Sequence, residues 1–143
     1  MADDAGFAPE AAGWEHLTDE GFIGLVGPFW VRGEAGARRY GFAAEPRHAN
    51  LLGVVQGGML MTFADRAMGL EAWAAAGGRP CTTVQFATNF IAGAQIGSFI
   101  TIAPRVARAT RSLIFMDGAL MADGVELATV QGLWKVVWRP PAN

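Results

Sequence analysis

The sequence predicts an α+β fold in which an antiparallel sheet wraps around one long central helix. Three observations carry that expectation. Only the stretch Gly57–Ala76 has the length and the Ala, Met and Leu content of a long helix. Its apolar residues, among them Met59, Leu60, Met61, Phe63, Ala64, Met68, Leu70 and Trp73, lie nearly all round, which marks a buried helix. Two strand-like runs precede it and four follow, and a lone buried helix needs such a sheet to cover its flanks.

The elements follow in order. Residues 1–13 read as a flexible N-terminal tail and residues 14–143 as a single domain. Trp14 to Glu20 suggests a short helical turn. Phe22–Arg32 and Ala37–Ala44 read as strands joined at Gly33-Glu34-Ala35-Gly36, and Pro46 closes the pair. The long helix ends at Gly77-Gly78 before Pro80. Thr82–Ile91, Gly97–Ala107, Arg111–Ala122 and Val125–Trp138 complete the sheet, with Asp123-Gly124 a two-residue hairpin turn. In the first of these, Val84, Phe86 and Phe90 alternate with Thr83, Gln85 and Asn89, giving one apolar face.

Composition excludes several classes. The chain has 143 residues, 52% of them apolar and 17% charged, enough for a real core and contrary to disorder. No apolar run reaches the roughly 18 residues of a membrane span. The acidic first dozen residues lack the pattern of a secretory signal. A single cysteine, Cys81, forms no intrachain disulfide and suits a reducing compartment. A net charge of −2 offers no general attraction to nucleic acid. A cytoplasmic protein without membrane or nucleic-acid partners is expected.

Chemistry concentrates in His48-Ala49-Asn50-Leu51-Leu52-Gly53-Val54-Val55-Gln56-Gly57-Gly58 and the helix that follows. Glycines at a helix mouth let a ligand approach free N–H groups, where the helix dipole favours developing negative charge. Asp65, a carboxylate two turns into an apolar helix, is costly to bury without a partner or a role. Together they read as an oxyanion site with a base or nucleophile. Each also has a plainer reading. The glycines could form only a tight turn, and Asp65 could pair with Arg66, Arg47 or the backbone. Asn50 suits a turn or cap, and Gln56 a helix start.

Other chemistries find no footing. Ser98 and Ser112, the only serines, lie outside any G-x-S-x-G elbow. Cys81 has no histidine signature near it, and two histidines with one cysteine lack metal-ligand spacing, so no metal site is expected. Phosphate-loop and dinucleotide patterns are missing. Arg105, Arg108 and Arg111 cluster at one expected turn, with Lys135 on the next hairpin. They either solvate that turn or form a phosphate-binding rim.

The element order resembles the hotdog fold, and the motif resembles that of PaaI-like (phenylacetyl-CoA thioesterase type) acyl-CoA thioesterases. The family pattern H-x-N-x-x-G-x-x-H-G-G followed by an acid is matched by His48, Asn50, Gly53, Gly57, Gly58 and Asp65. The resemblance covers about residues 22–138. It departs at Gln56, where most relatives carry histidine; Gln donates a hydrogen bond but does not titrate. The resemblance implies hydrolysis of an acyl-CoA without a cofactor, coenzyme A being part of the substrate. It implies that Gly57 N–H polarises the carbonyl while Asp65 activates water or attacks. Asn50 and Gln56 would align the reacting groups, and Thr83 falls where relatives place a hydroxyl near the water. Gly58, His48 and the three arginines would bind substrate.

Eight helical residues at about 1.5 Å each separate Gly57 from Asp65 by about 12 Å, too far for one thioester. If both act on one substrate, two antiparallel helices must meet at a dyad, giving a C₂ homodimer with two shared sites. Pairing of dimers into a homotetramer stays open. So do two alternatives: a non-catalytic acyl-CoA-binding module, and a hydratase or dehydratase using His48.

Overall fold

The computed structural model describes residues 6–137. Residues 1–5 of the expected tail, and Trp138 at the expected end of the last strand, lie outside the described residues. Within the rest of that tail, Glu10–Ala12 forms a 3-10 turn and the Phe7 ring lies 4.5 Å from Phe99.

Among the described residues, eight strands form one antiparallel sheet: β1 (Glu15–Leu17), β2 (Phe29–Arg32), β3 (Arg39–Ala43), β4 (Cys81–Phe90), β5 (Phe99–Ile102), β6 (Arg105–Ala109), β7 (Leu113–Ala122) and β8 (Val125–Val136). Their order is β1-β2-β3-β5-β7-β8-β4, with β6 pairing the far end of β7. The helix α2 (Gly57–Ala75) lies against β4, β6, β7 and β8. The Asp123-Gly124 turn has positive φ at both residues (49° and 75°), as a two-residue hairpin requires.

Four local expectations are corrected. Glu15–Leu17 is a strand, not a helical turn, because it completes the edge beside β2. Phe22–Arg32 is not one strand: Phe22–Val26 forms a short helix, α1, and only Phe29–Arg32 is extended. Five residues cannot hold a helix alone. Here the carbonyls at its end are bonded from a distant loop. Gly97–Ala107 divides into β5 and β6 around Ala103-Pro104, since proline cannot continue a ladder. Lastly, a register shift between Thr83 and Gln85 turns Thr83 onto the helix side of the sheet, the side that Phe86 also faces towards Trp134. Strict alternation had put those two on opposite faces.

The core forms where α2 meets the sheet. Phe63 sits between Phe42 and Phe29 at ring separations of 4.7 and 5.2 Å, all three fully buried. Only one side of α2 is covered: Met59, Leu60, Phe63, Ala64, Ala67, Met68, Glu71 and Ala72 are buried. Met61, Thr62, Asp65 and Gly69 are only half-buried and Trp73 is exposed. The helix is apolar all round, but one chain covers one side of it.

The covered side carries a carboxylate that sequence reasoning passed over. Glu71 is 3% exposed, accepts a 2.8 Å bond from the Tyr40 hydroxyl and a 3.2 Å bond from Gly36 N–H, and so ties the β2–β3 turn to the helix. Its setting in Leu70-Glu71-Ala72 is as apolar as that of Asp65, and the same reasoning would have found it. Burial, together with the adjacent Glu71, pushes the Tyr40 phenol well above its ordinary value. A raised native pKa favours the folded state fully below the unfolded value of about 10 and is lost as pH climbs beyond it, at up to about 1.4 kcal/mol per pH unit. Tyr40→Phe should remove that alkaline limb. It should also cost about 1.5–3 kcal/mol at neutral pH, because a buried carboxylate loses its donor. Thermal melts across the alkaline range check both effects. Tyr40 is the only tyrosine, so tyrosinate absorbance reads its titration directly.

Candidate active site

The mouth of α2 is shaped by Gln56-Gly57-Gly58. Gln56 is the N-cap, its Oε1 accepting from Met59 N–H at 2.8 Å. Each glycine has its own steric reason. A Cβ on Gly58 would fall 2.7 Å from Gln56 Oε1, so Gly58 leaves room for the capping carboxamide. A Cβ on Gly57 would lie 3.1 Å from the Phe90 ring. Among the described residues, the Gly57 and Gly58 N–H groups donate to no protein acceptor, the usual state of a helix's first amides.

Asp65 lies about two turns deeper, on the uncovered side. Its Oδ1 accepts from the Thr83 hydroxyl at 2.6 Å. Neither of its suggested ion-pair partners reaches it. Arg66 pairs with Asp19 at 2.5 Å, and Arg47 with Glu45 at 2.7 Å. Asp65 therefore keeps its second oxygen free of any protein donor among the described residues.

The remaining candidates divide. Asn50 Oδ1 accepts from Leu52 and Val54 N–H, shaping the loop that leads to the mouth. With Gly57 and Phe90 it lines a cleft of about 310 Å³. His48 is buried; its Nδ1 accepts from Glu45 N–H at 3.0 Å and its Nε2 bonds the Val26 carbonyl at 2.7 Å. It lines a second cleft, of about 410 Å³, together with Gln56 and Gly58. Arg105 is held in a two-point ion pair with Asp117. Arg108 lies on β6 and Arg111 in the turn after it. They sit away from the mouth, near the row Thr83, Trp134, Ile114, Ala109. Three strand spacings, about 14 Å, separate β6 from β4 along that row. Burial raises the Cys81 thiol above its ordinary value, as for a packed cysteine rather than a nucleophile.

One chain thus forms two polar groupings, Gln56-Gly57-Gly58 and Asp65-Thr83, without joining them. Both abut β4, at opposite ends: Gly57 against Phe90, Asp65 against Thr83.

A single antiparallel sheet curved around one long helix, with its polar groups at the helix mouth and on the helix's open side, is a hotdog fold. The model of the thioesterase superfamily matches residues 52–129, and the chain belongs to that superfamily. Solved structures agree. Zebrafish thioesterase superfamily member 2 superposes with a TM-score of 0.76 at 24% identity, covering 83% of this chain and 88% of its own. A phenylacetic acid degradation-related protein from Ralstonia eutropha JMP134 gives 0.69 at 28% identity, covering 74% and 83%. A hypothetical thioesterase protein from Streptococcus pneumoniae TIGR4, determined with coenzyme A, gives 0.70 at 18% identity, covering 76% and 87%. No curated protein matches the chain. Among the described residues no helix is long and apolar enough to cross a membrane.

Proposed function

We propose that this protein hydrolyses acyl-CoA thioesters to free acid and coenzyme A, as a homodimer whose two sites are shared between subunits. One observation carries the reading. The two groupings touch the two ends of the same ten-residue strand, β4, and among the described residues that strand ends the sheet with one edge unpaired. A long unpaired edge carrying exposed Val84, Phe90 and Ile91 invites another strand. Antiparallel pairing of β4 with its copy, about a dyad near Phe86 and Ala87, sets Thr83 opposite the copy's Phe90. Asp65 of one subunit then meets the Gly57 mouth of the other, and the open sides of the two helices face each other.

The chemistry follows from that juxtaposition. The thioester oxygen lies at the Gly57 N–H, where the helix dipole stabilises the oxyanion of the tetrahedral intermediate. Thr83 fixes one oxygen of Asp65. The other takes a proton from the attacking water, or attacks the carbonyl itself. The C–S bond breaks with its electron pair on sulfur. A thiol has a reference pKa of about 8.5, so this leaving group departs without a strong acid, and a non-titrating Gln56 is no obstacle. The coenzyme A in the S. pneumoniae relative supports a coenzyme A ester as substrate. Arg108 and Arg111 then remain candidates to meet its phosphates, while Arg105 is committed to Asp117. His48 has both ring nitrogens bonded to backbone, which favours hydrolysis over a hydratase reaction that would need it as a base. The reaction needs no added cofactor, and the half-buried lone cysteine suits a cytoplasmic setting.

Release of free thiol from a panel of acyl-CoA esters tests the activity, and light scattering tests the dimer. Single turnover in oxygen-labelled water separates the two routes, since label entering Asp65 marks it as the nucleophile.

A further inference from the structure

We propose that Leu51 and Leu52, at the tip of the loop leading to the helix mouth, pack across the dyad on the partner subunit's Trp73, and that this contact holds the mouth in its working position. The inference rests on the shared-site reading above. It adds a positioning residue, Trp73, supplied by the same chain as Asp65.

The loop is an apolar tip on a pinned frame. Leu51 and Leu52 are 106% and 87% exposed. Single surface leucines are ordinary, but two in succession on a fixed loop mark a contact surface. The fixing is local. Asn50 Oδ1 accepts from Leu52 and Val54 N–H, Asn50 N–H donates to the Val54 carbonyl at 2.7 Å, and Gly53 turns the chain at φ 81°. Ala49 bridges Val55, and Gln56 N–H donates to the His48 carbonyl at 2.8 Å. The tip, Asn50 and the N-cap of α2 are therefore one piece, and whatever holds the tip holds the mouth.

Counts along the helix and along the strand both set that tip against Trp73. Along the helices, Asp65 meets the partner subunit's Gly57. Trp73 lies eight residues further on, about 12 Å past that mouth, on the side from which the partner's loop enters. Along the strands, Thr83 opposite the partner subunit's Phe90 puts Cys81 opposite the partner subunit's Ala92. Trp73 Nε1 donates to the Cys81 carbonyl at 3.0 Å, so its ring lies at that end of β4. At the other end, Val55 N–H donates to the Ala94 carbonyl at 2.8 Å and Val54 bridges Gln95, which ties the loop to the residues just past β4. Trp73 itself is 42% exposed on the open side of α2, the side that turns to the partner. Each site then takes its mouth and Asn50 from one chain, and Asp65 with Trp73 from the other.

Trp73→Ala should lower kcat/KM for thiol release about tenfold, since a reacting group misplaced by about 1 Å costs up to about a hundredfold. Trp73→Phe keeps an apolar face and should stay within about threefold of the natural protein. Mixed dimers tell which chain's mouth Trp73 serves. In an equal, fully exchanged mixture of Trp73→Ala with Gly57→Pro, half the dimers are mixed and half their sites intact, so about a quarter of natural activity should return. With Asp65→Asn, every site of a mixed dimer carries one lesion, and activity should stay below about a tenth. The reverse pattern would show Trp73 bracing its own chain's mouth and would overturn the proposal, as would full activity in Trp73→Ala. Should that variant fail to fold, Leu51→Ser combined with Leu52→Ser removes the other half of the contact, at positions a single chain leaves in solvent. This double variant should lose about tenfold in activity, and its dimer dissociation constant, by light scattering on dilution, should rise about tenfold or more. No change in either would also overturn the contact. If Gly57→Pro and Asp65→Asn do not restore each other, the shared-site reading fails and takes this inference with it. If the natural protein releases no thiol, the thioesterase reading fails, and the dissociation constants still decide the contact.

Discussion

Asp65→Asn is expected to lower acyl-CoA hydrolysis about a hundredfold to ten-thousandfold, the usual contribution of a positioned base or nucleophile. The substitution is close to isosteric. An asparagine oxygen still accepts the Thr83 hydroxyl bond that spans 2.6 Å here, so the side chain stays in place while its charge and basicity vanish. Because Asp65 makes no ion pair with Arg66 or Arg47, no cation is left stranded. Melting should thus shift by the equivalent of less than about 1 kcal/mol, as for a partly exposed site. A folded Asp65→Asn protein with more than a tenth of the natural turnover would exclude this carboxylate from the chemistry.

Gly57→Pro is expected to cost about a hundredfold to a thousandfold by deleting one N–H from the helix mouth, as when a single oxyanion donor is removed. The site accepts proline unusually well. Gly57 is the first helical residue, where proline is favoured and the missing N–H breaks no helical bond. Gln56 before it is already extended, at φ −62° and ψ 134°, as a residue preceding proline must be. A Cβ at this position meets only the Phe90 ring, at 3.1 Å, which must shift by a few tenths of an ångström. Mixing this variant with Asp65→Asn gives the larger contrast. Each is nearly inactive alone. In a heterodimer with shared sites, one site carries both lesions and the other neither. An equal, fully exchanged mixture should recover about a quarter of natural activity, since half the dimers are mixed and half their sites intact. A mixture no more active than its components would mean that the two residues serve within one chain or not at all.

The order of elements was legible because it depends on local signals. Gly57 and Gly77-Gly78 bound α2 closely, and Asp123-Gly124 took up the positive φ angles expected of it. Gln56 and Gly57 lie at the mouth of α2, Asp65 within it and Thr83 on β4, the elements the sequence reading assigned them. Local signals failed where distant groups decide. Phe22–Val26 is apolar and β-compatible, yet it is helical because Arg47 and His48, more than twenty residues on, bond its end. The ladder of β5 could not be separated from β6 by hydropathy, although Pro104 was a marker for the break.

The sequence by itself determined that one apolar helix would be wrapped by an antiparallel sheet, and that an open helix mouth and a carboxylate would lie about 12 Å apart on it, since both follow from residue spacing and helical rise. Only the tertiary structure decided that Thr83 faces Asp65, because a single irregularity in β4 reverses the side a strand residue takes. It also decided which side of α2 is covered, and that Glu71, not Asp65, is the buried carboxylate with a tyrosine partner. Burial and hydrogen bonding depend on what the folded chain brings alongside a residue, and periodicity along the chain carries no record of that.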